Sequence, residues 1–157
     1  MSTFTGSREL PVDAGTACAV VLDWSRDPSW RTAVRRMEVA PPGRARTGQQ
    51  IIERLRFSGL DFVTPTTITA ATDAEASFSG ASATVRVSGC RRVTALDDRS
   101  CRVDVVVTVR LRGPLAPLTA LLAPSYRRRH VDDLDRLVEL VAGPGAGRHG
   151  TATDSHG

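Results

Sequence analysis

The chain contains no lysine and few aromatic residues. All 21 basic side chains are arginine, and phenylalanine, tryptophan and tyrosine together make up only 4% of the 157 residues. The arginines are scattered among 17 acidic residues, so the net charge of +4 is not gathered in the basic patch that is typical of nucleic-acid-binding proteins. We therefore expect no nucleic-acid partner and attribute the absence of lysine mainly to a G+C-rich coding sequence.

Long apolar runs and metal-binding spacings are also missing. No stretch of about 18 consecutive apolar residues could form a membrane span, and residues 1–6 do not resemble a secretory signal. The three cysteines, Cys18, Cys90 and Cys101, have no CxxC spacing and no nearby cluster of histidines. This pattern predicts reduced thiols in a cytoplasmic protein with no metal and no cofactor.

The overall composition predicts one globular domain followed by a tail. The chain is 41% hydrophobic and 24% charged, as in ordinary soluble domains. Residues 143–157 are rich in glycine and contain no large apolar side chain, so they cannot bury enough surface to offset their chain entropy. We expect a single domain over residues 3–142 and a disordered tail over 143–157, in a monomer or a homodimer.

Turn residues divide the first two thirds of the chain into short elements. Residues 4–12 are predicted to form a strand, Asp13 to cap a helix over 14–22, and Asp27-Pro28 to begin a second short helix towards residue 34. Turns then recur roughly every ten residues, which is typical of an antiparallel meander. The predicted strands cover residues 35–40, 49–57, 61–71, 74–80, 84–96 and 101–112.

The last of these strands has the clearest pattern. Valine or leucine occupies every second position from Val103 to Leu111, while mostly polar residues occupy the positions between them. A period of two places one face of a strand on a core and leaves the other face in water. The sheet therefore needs another element to cover its apolar face.

The final segment, residues 115–142, is predicted to be a helix that can cover the sheet. Pro124 is expected to bend it, and ion pairs are expected between Arg128 and Asp132 and between Arg129 and Asp133 on its charged side. A single helix of about 42 Å cannot fill the interior of a curved sheet, so we expect a cavity between them. The apolar stripe of the helix consists of Leu118, Leu122, Tyr126, His130, Leu134, Leu137 and Val141.

The order of these elements, together with several local stretches, resembles the START/Bet v 1-like (SRPBCC) superfamily, and within it the bacterial polyketide cyclase/dehydrase-like group. The stretches lie at residues 12–24, 27–31, 34–39, 48–59, 101–105, 113–115 and 128–137. The resemblance implies an α+β helix-grip fold, in which a curved antiparallel sheet of about seven strands wraps round a long C-terminal helix, with two short helices after the first strand. It implies no particular catalytic residue.

Two polar residues on the apolar stripe are candidate ligand-binding residues. Tyr126 and His130 lie one turn apart, where the helix is expected to face the cavity. A phenol can donate a hydrogen bond to a ligand carbonyl, and an imidazole can act as an acid or base near neutral pH. The alternative is that both side chains lie at the rim of the helix–sheet contact, with their polar atoms in water.

Glu53 is unexpected where the strand pattern places it. It shares the apolar face of residues 49–57 with Leu55 and Phe57, which are candidate cavity residues themselves. A carboxylate on this face could bind a ligand hydroxyl or pair with an inward-pointing arginine. A bulge could instead turn it outward.

Three aromatic residues complete the candidate set. Trp24 and Trp30 bracket the two short helices, which are expected to close the mouth of the cavity, and their indole rings could contact a planar ligand or serve only as packing between helices and sheet. Phe62 and every second residue up to Ile68 form one strand face that could line the cavity. The opposite face, which begins at Val63, is an open alternative.

These features favour a binding protein. The hypothesis is that the cavity holds one apolar, polycyclic, polyketide- or lipid-like molecule, in a carrier, sequestering or resistance protein of secondary metabolism. The alternative is a cofactor-independent polyketide cyclase/dehydrase that positions a chain in the same cavity for an aldol cyclisation or a dehydration.

Overall fold

The computed structural model describes residues 1–143, so the predicted tail lies almost wholly outside the described residues. These residues form seven strands, two α-helices and two 3-10 helices, and the 3-10 helices lie at Trp24–Ser29 and Gly113–Leu115. The strands are β1 (Ser2–Leu10), β2 (Val34–Ala40), β3 (Gln50–Phe57), β4 (Leu60–Ala71), β5 (Glu75–Ala81), β6 (Val85–Ala95) and β7 (Cys101–Leu111). The α-helices are α1 (Ala14–Val21) and α2 (Leu118–Ala142).

All seven strands form one curved antiparallel sheet in the order β1-β7-β6-β5-β4-β3-β2. Strands β2 to β7 are joined as a meander. The last strand, β7, also pairs with β1 along the whole length of β1, from Ser2 opposite Val109 to Leu10 opposite Cys101. The two edges of the sheet are therefore β1 and β2. This arrangement, with the long helix and the short ones, confirms the predicted helix-grip fold.

Helix α2 lies on the inner face of the sheet and packs mainly against β1, with fewer contacts to β7. Leu134 and Leu137 of the predicted stripe are fully buried. The close approach depends on Gly6 of β1, because a methyl group at that position would overlap the Leu134 side chain and lie 3.1 Å from His130 Nε2.

Helix α1 begins where the sequence predicts it. The Asp13 carboxylate accepts a hydrogen bond from the Thr16 backbone N–H at 3.0 Å, as expected of an N-cap residue. Its buried residues, Ala17, Cys18 and Val21, join the main core. The helix contacts β6 and the 3-10 helix at Trp24–Ser29. All three cysteines of the chain are free thiols.

Two predicted helix starts were wrong. The second short helix begins at Trp24 and not at Asp27, because Asp23 caps its N-terminus through the Ser25 backbone N–H, and it is a 3-10 helix that ends at Ser29. Helix α2 begins at Leu118 and not at residue 115, because the Gly113–Leu115 segment forms a separate 3-10 turn.

Neither of the ion pairs predicted along α2, Arg128–Asp132 and Arg129–Asp133, is formed among the described residues, so both predictions were wrong. The Arg129 guanidinium donates to Thr32 Oγ1 at 2.7 Å, and Asp133 accepts from the backbone N–H and the hydroxyl of Thr32 at 3.0 and 3.1 Å. The two helix side chains therefore bind the loop before β2. Within residues 1–143, no helix is long and apolar enough to cross a membrane.

Candidate functional site

A cavity of about 110 Å³ lies between α2 and the inner face of the sheet. A single buried water needs about 10–15 Å³ of such space, so the cavity is several times larger than a water site. Side chains from β1 and from β3 to β7 form one wall, and α2 and the segment after the first 3-10 helix form the other.

One end of the cavity is apolar and aromatic. Phe57, Phe62, Val85 and Leu111 form a buried cluster there, and Leu55, Leu118, Leu122 and Tyr126 pack against it. The Tyr126 ring centroid is 4.6 Å from that of Phe4 and 5.6 Å from that of Phe57. These distances are typical of favourable tilted and edge-to-face aromatic pairs.

The structure resolves which face of β4 lines the cavity. Phe62, Thr64 and Thr66 are buried and lie in its wall, whereas Val63 is 44% exposed on the opposite face. The inward face is therefore the one that begins at Phe62.

The other end of the cavity contains a buried ion pair. Asp27 is 0% exposed and Arg91 is 3% exposed. The two terminal nitrogens of Arg91 donate to the two carboxylate oxygens of Asp27 at 2.7 and 2.6 Å, and Nη1 also donates to the Val21 carbonyl at 3.0 Å. The guanidinium lies 4.0 Å from the Trp24 ring centroid and 5.2 Å from that of Trp30, within cation–π range.

Arg31 extends this ion pair into a network of four charged side chains. Its Nη1 donates to Asp27 Oδ2 at 2.8 Å and to Glu53 Oε2 at 2.7 Å. Glu53 is thus turned inward and pairs with an inward-pointing arginine. Burial opposes the charged form of Arg31, but the carboxylates of Glu53 and Asp27 outweigh it and hold the pKa of the guanidinium above its usual range.

The two candidate residues of α2 also line the cavity. Burial lowers the pKa of His130 to about 4, with the positive charge of Arg31 as the next cause, so the imidazole is neutral at pH 7. His130 Nε2 is buried, has no hydrogen-bond partner within residues 1–143, and packs close to Gly6. Burial also raises the pKa of the Tyr126 phenol, although nearby Arg31 partly offsets this effect.

All eight residues predicted from the sequence as ligand contacts lie in the cavity wall, and their binding role remains a prediction. They are Trp24, Trp30, Glu53, Leu55, Phe57, Phe62, Tyr126 and His130. The sequence interpretation missed Arg31, Arg91 and Asp27. Arg91 could have been found from the sequence, because the alternation along β6 places it on the same inward face as Val85, Val87 and Val93.

The described residues contain no group of three or more histidine, cysteine, aspartate or glutamate side chains that could hold a metal ion. The polar end of the cavity instead combines two arginines with two carboxylates. Such a set can fix the orientation of a polar group on a guest through hydrogen bonds.

Comparison with known proteins gives one family match. The model of the family described as "Polyketide cyclase / dehydrase and lipid transport" matches residues 1–142. No curated protein matches the sequence.

Several solved structures share the fold at low sequence identity. A START superfamily protein from Mycobacterium smegmatis has a TM-score of 0.69 at 17% identity, covering 88% of this chain and 98% of that one. The ZhuI aromatase/cyclase from Streptomyces sp. R1128 has a TM-score of 0.70 at 13% identity, with 90% and 93% covered. The di-domain aromatase/cyclase BexL of the BE-7585A biosynthetic pathway has a TM-score of 0.65 at 17% identity, with 92% and 48% covered.

Proposed function

Because the chain belongs to the polyketide cyclase/dehydrase and lipid transport family, we propose that it binds one apolar, polycyclic small molecule in the cavity between α2 and the sheet. In this role it acts as a carrier or sequestering protein of secondary metabolism. The single observation that carries the proposal is the aromatic and aliphatic end of a cavity that is several times larger than a water site.

The physical driving force is burial of apolar surface. A ring system that buries about 200 Å² of apolar area, as a large aromatic side chain does, gains roughly 5 kcal/mol before the cost of association is subtracted. Phe57, Phe62 and Tyr126 offer flat ring surfaces to such a guest, and the strand valines complete an apolar wall.

The protonation states of the α2 side chains support binding over acid–base chemistry. Efficient general acids and bases have pKa values near the working pH. The pKa of His130 is lowered to about 4 by burial, and that of Tyr126 is raised by burial. At pH 7 the His130 imidazole is therefore neutral and the Tyr126 phenol keeps its proton.

The test uses the two tryptophans of the chain, Trp24 and Trp30, which both line the cavity. We expect the neutral dye N-phenyl-1-naphthylamine to bind with one-to-one stoichiometry and to accept excitation energy from these indoles. Ala123→Phe should abolish this transfer by filling the cavity from α2, whereas the matched variant Ala120→Phe, at an exposed position of the same helix, should not. Equal transfer in both variants would place the dye elsewhere and contradict the proposal.

A second candidate function is cyclisation or dehydration of a polyketide-like chain in the same cavity. It is favoured by the shared fold with two proteins described as aromatase/cyclases and by Tyr126 and His130 one turn apart in the cavity wall. If a candidate substrate is turned over, Tyr126→Phe and His130→Ala should abolish turnover while binding persists. A loss of binding alone would favour the carrier function.

A further inference from the structure

We infer that Arg31 and Glu53 form a subsite for a neutral hydroxyl group of the guest and that this subsite rejects a carboxylate. The inference rests on the proposed binding function and specifies the chemical class of the guest: a hydrophobic alcohol or phenol whose ring system occupies the apolar end of the cavity.

The hydrogen bonds of Arg31 leave part of its guanidinium available. Its Nη1 donates to both Asp27 and Glu53. Among the described residues, Arg31 makes its well-formed hydrogen bonds through Nη1 alone, the Tyr126 phenol lies close to the rest of the guanidinium, and Glu53 Oε1 accepts no hydrogen bond. Arg31 therefore has N–H groups, and Glu53 has a carboxylate oxygen, that can bind a guest. The two side chains lie side by side, because a 2.7 Å contact between Arg31 Nη1 and Glu53 Oε2 joins them.

A hydroxyl group matches this pair because it accepts and donates at once. Its oxygen can accept from an Arg31 N–H while its hydrogen is donated to the Glu53 carboxylate. Both side chains line the cavity, and they are only 16% and 19% exposed, so bonds formed there are shielded from bulk water. The Tyr126 phenol is near enough for both charges to affect its pKa, which places the subsite where the polar and aromatic ends meet.

The charge balance excludes an anionic group. The two guanidinium groups of Arg31 and Arg91 are matched by the two carboxylates of Asp27 and Glu53 in one hydrogen-bonded network. Arg129 and Asp133, which also line the cavity, add one charged group of each sign and leave this balance unchanged. A guest carboxylate would add a third negative charge beside Glu53, in an environment where charges are poorly screened. A neutral hydroxyl leaves the balance unchanged.

Asp27 and Arg91 act as positioning residues for this subsite. Arg91 binds both oxygens of Asp27, and its guanidinium is further restricted by the nearby rings of Trp24 and Trp30. The fixed Asp27 carboxylate in turn holds Arg31, because it accepts from the same Nη1 that donates to Glu53. The donor group is therefore oriented before a guest arrives, which reduces the entropy cost of binding.

The test compares three probes of the same ring size by isothermal titration calorimetry at pH 7. They are 2-naphthol, 2-methylnaphthalene and 2-naphthoate, which carry a neutral hydroxyl, a methyl group and a carboxylate respectively. We expect the protein to bind 2-naphthol about tenfold or more tightly than 2-methylnaphthalene, since hydrogen bonds to charged groups are among the stronger ones. We expect 2-naphthoate to bind more weakly than either.

The Glu53→Gln variant should reverse the discrimination against the anion. It removes one negative charge and leaves Arg31 in place, so the ratio of the affinity for 2-naphthoate to that for 2-methylnaphthalene should rise about tenfold or more. Glu38→Gln is the matched control, because it removes a carboxylate from the neighbouring strand β2, where Glu38 is 40% exposed and pairs with surface arginines. It should change none of the three affinities.

The possible outcomes separate the two proposals. If 2-methylnaphthalene and 2-naphthol bind equally well, binding in the cavity stands but the hydroxyl subsite is wrong, and water remains on Arg31 and Glu53. If Glu53→Gln leaves the ratio of the affinities for 2-naphthoate and 2-methylnaphthalene unchanged, the charge argument is wrong. If none of the probes binds, both the subsite and the proposed function are contradicted.

Discussion

The buried Asp27 carboxylate offers the strongest test of the charge network. Asp27→Asn keeps the size of the side chain and one oxygen acceptor but removes the charge that faces Arg91 and Arg31. Arg91 is 3% exposed and has no other carboxylate within salt-bridge distance among the described residues. The variant therefore leaves a positive charge in the core without a direct counter-ion.

The expected loss of stability is large for a single isosteric change. Breaking a buried ion pair by neutralising one partner costs about 3–5 kcal/mol, because the remaining charge has been removed from water and is no longer compensated. Asp61→Asn is the control, since the Arg56–Asp61 pair is 3.3 Å long and its side chains are 51% and 69% exposed. Exposed pairs of this kind contribute about 0–1 kcal/mol.

The assay is urea-induced unfolding at pH 7, followed by circular dichroism, with the free energy of unfolding extrapolated to water. We expect a loss of about 3–5 kcal/mol for Asp27→Asn and of less than about 1 kcal/mol for Asp61→Asn. Asp27→Asn combined with Arg91→Met should be less destabilised than Asp27→Asn alone, because the unpaired charge is removed as well. A loss below about 1 kcal/mol for Asp27→Asn would refute the reasoning.

Two further predictions concern the contact between α2 and β1. Gly6→Ala should lower the free energy of unfolding by about 1–3 kcal/mol, because the added methyl group overlaps Leu134 and crowds His130; Thr5→Ala, at an exposed position of the same strand, is the control, and equal losses would contradict the predicted overlap. His130→Gln should remove a pH dependence: the native pKa of about 4 lies below the usual 6.5, so between these values the unfolded chain binds a proton that the native protein does not. Relative to the variant, the free energy of unfolding of the wild type should be constant above pH 6.5 and should fall by up to about 3 kcal/mol between pH 6.5 and 4. The measurement is urea unfolding of both proteins across this pH range. Parallel curves of stability against pH would show that His130 is not buried in its neutral form.

Much of the fold could be predicted because its elements have regular periods. The alternation in β7 and the three-to-four spacing of the α2 stripe each identify an inward face, and both faces are inward in the structure. The helix starts at Asp27 and residue 115 were misplaced, because local capping by Asp23 and the separate Gly113–Leu115 turn decide those boundaries.

The polar end of the site was harder to predict because it depends on tertiary contacts. Strand parity identifies Glu53 as inward, but its partner Arg31 lies 22 residues away in an irregular segment. Asp27 and Arg91 are 64 residues apart, and no local pattern links a 3-10 helix to a central strand. Parity alone marks Arg91 as an inward residue and says nothing about which carboxylate neutralises it.

The most direct test of the central claim is to locate a bound guest by NMR. We predict that 2-methylnaphthalene, added to the isotope-labelled protein, gives intermolecular nuclear Overhauser effects to Phe57, Phe62, Leu122 and Tyr126, all of which lie in the cavity wall. Contacts confined to the exposed side chain of Leu121, or none at all, would contradict a guest between the helix and the sheet.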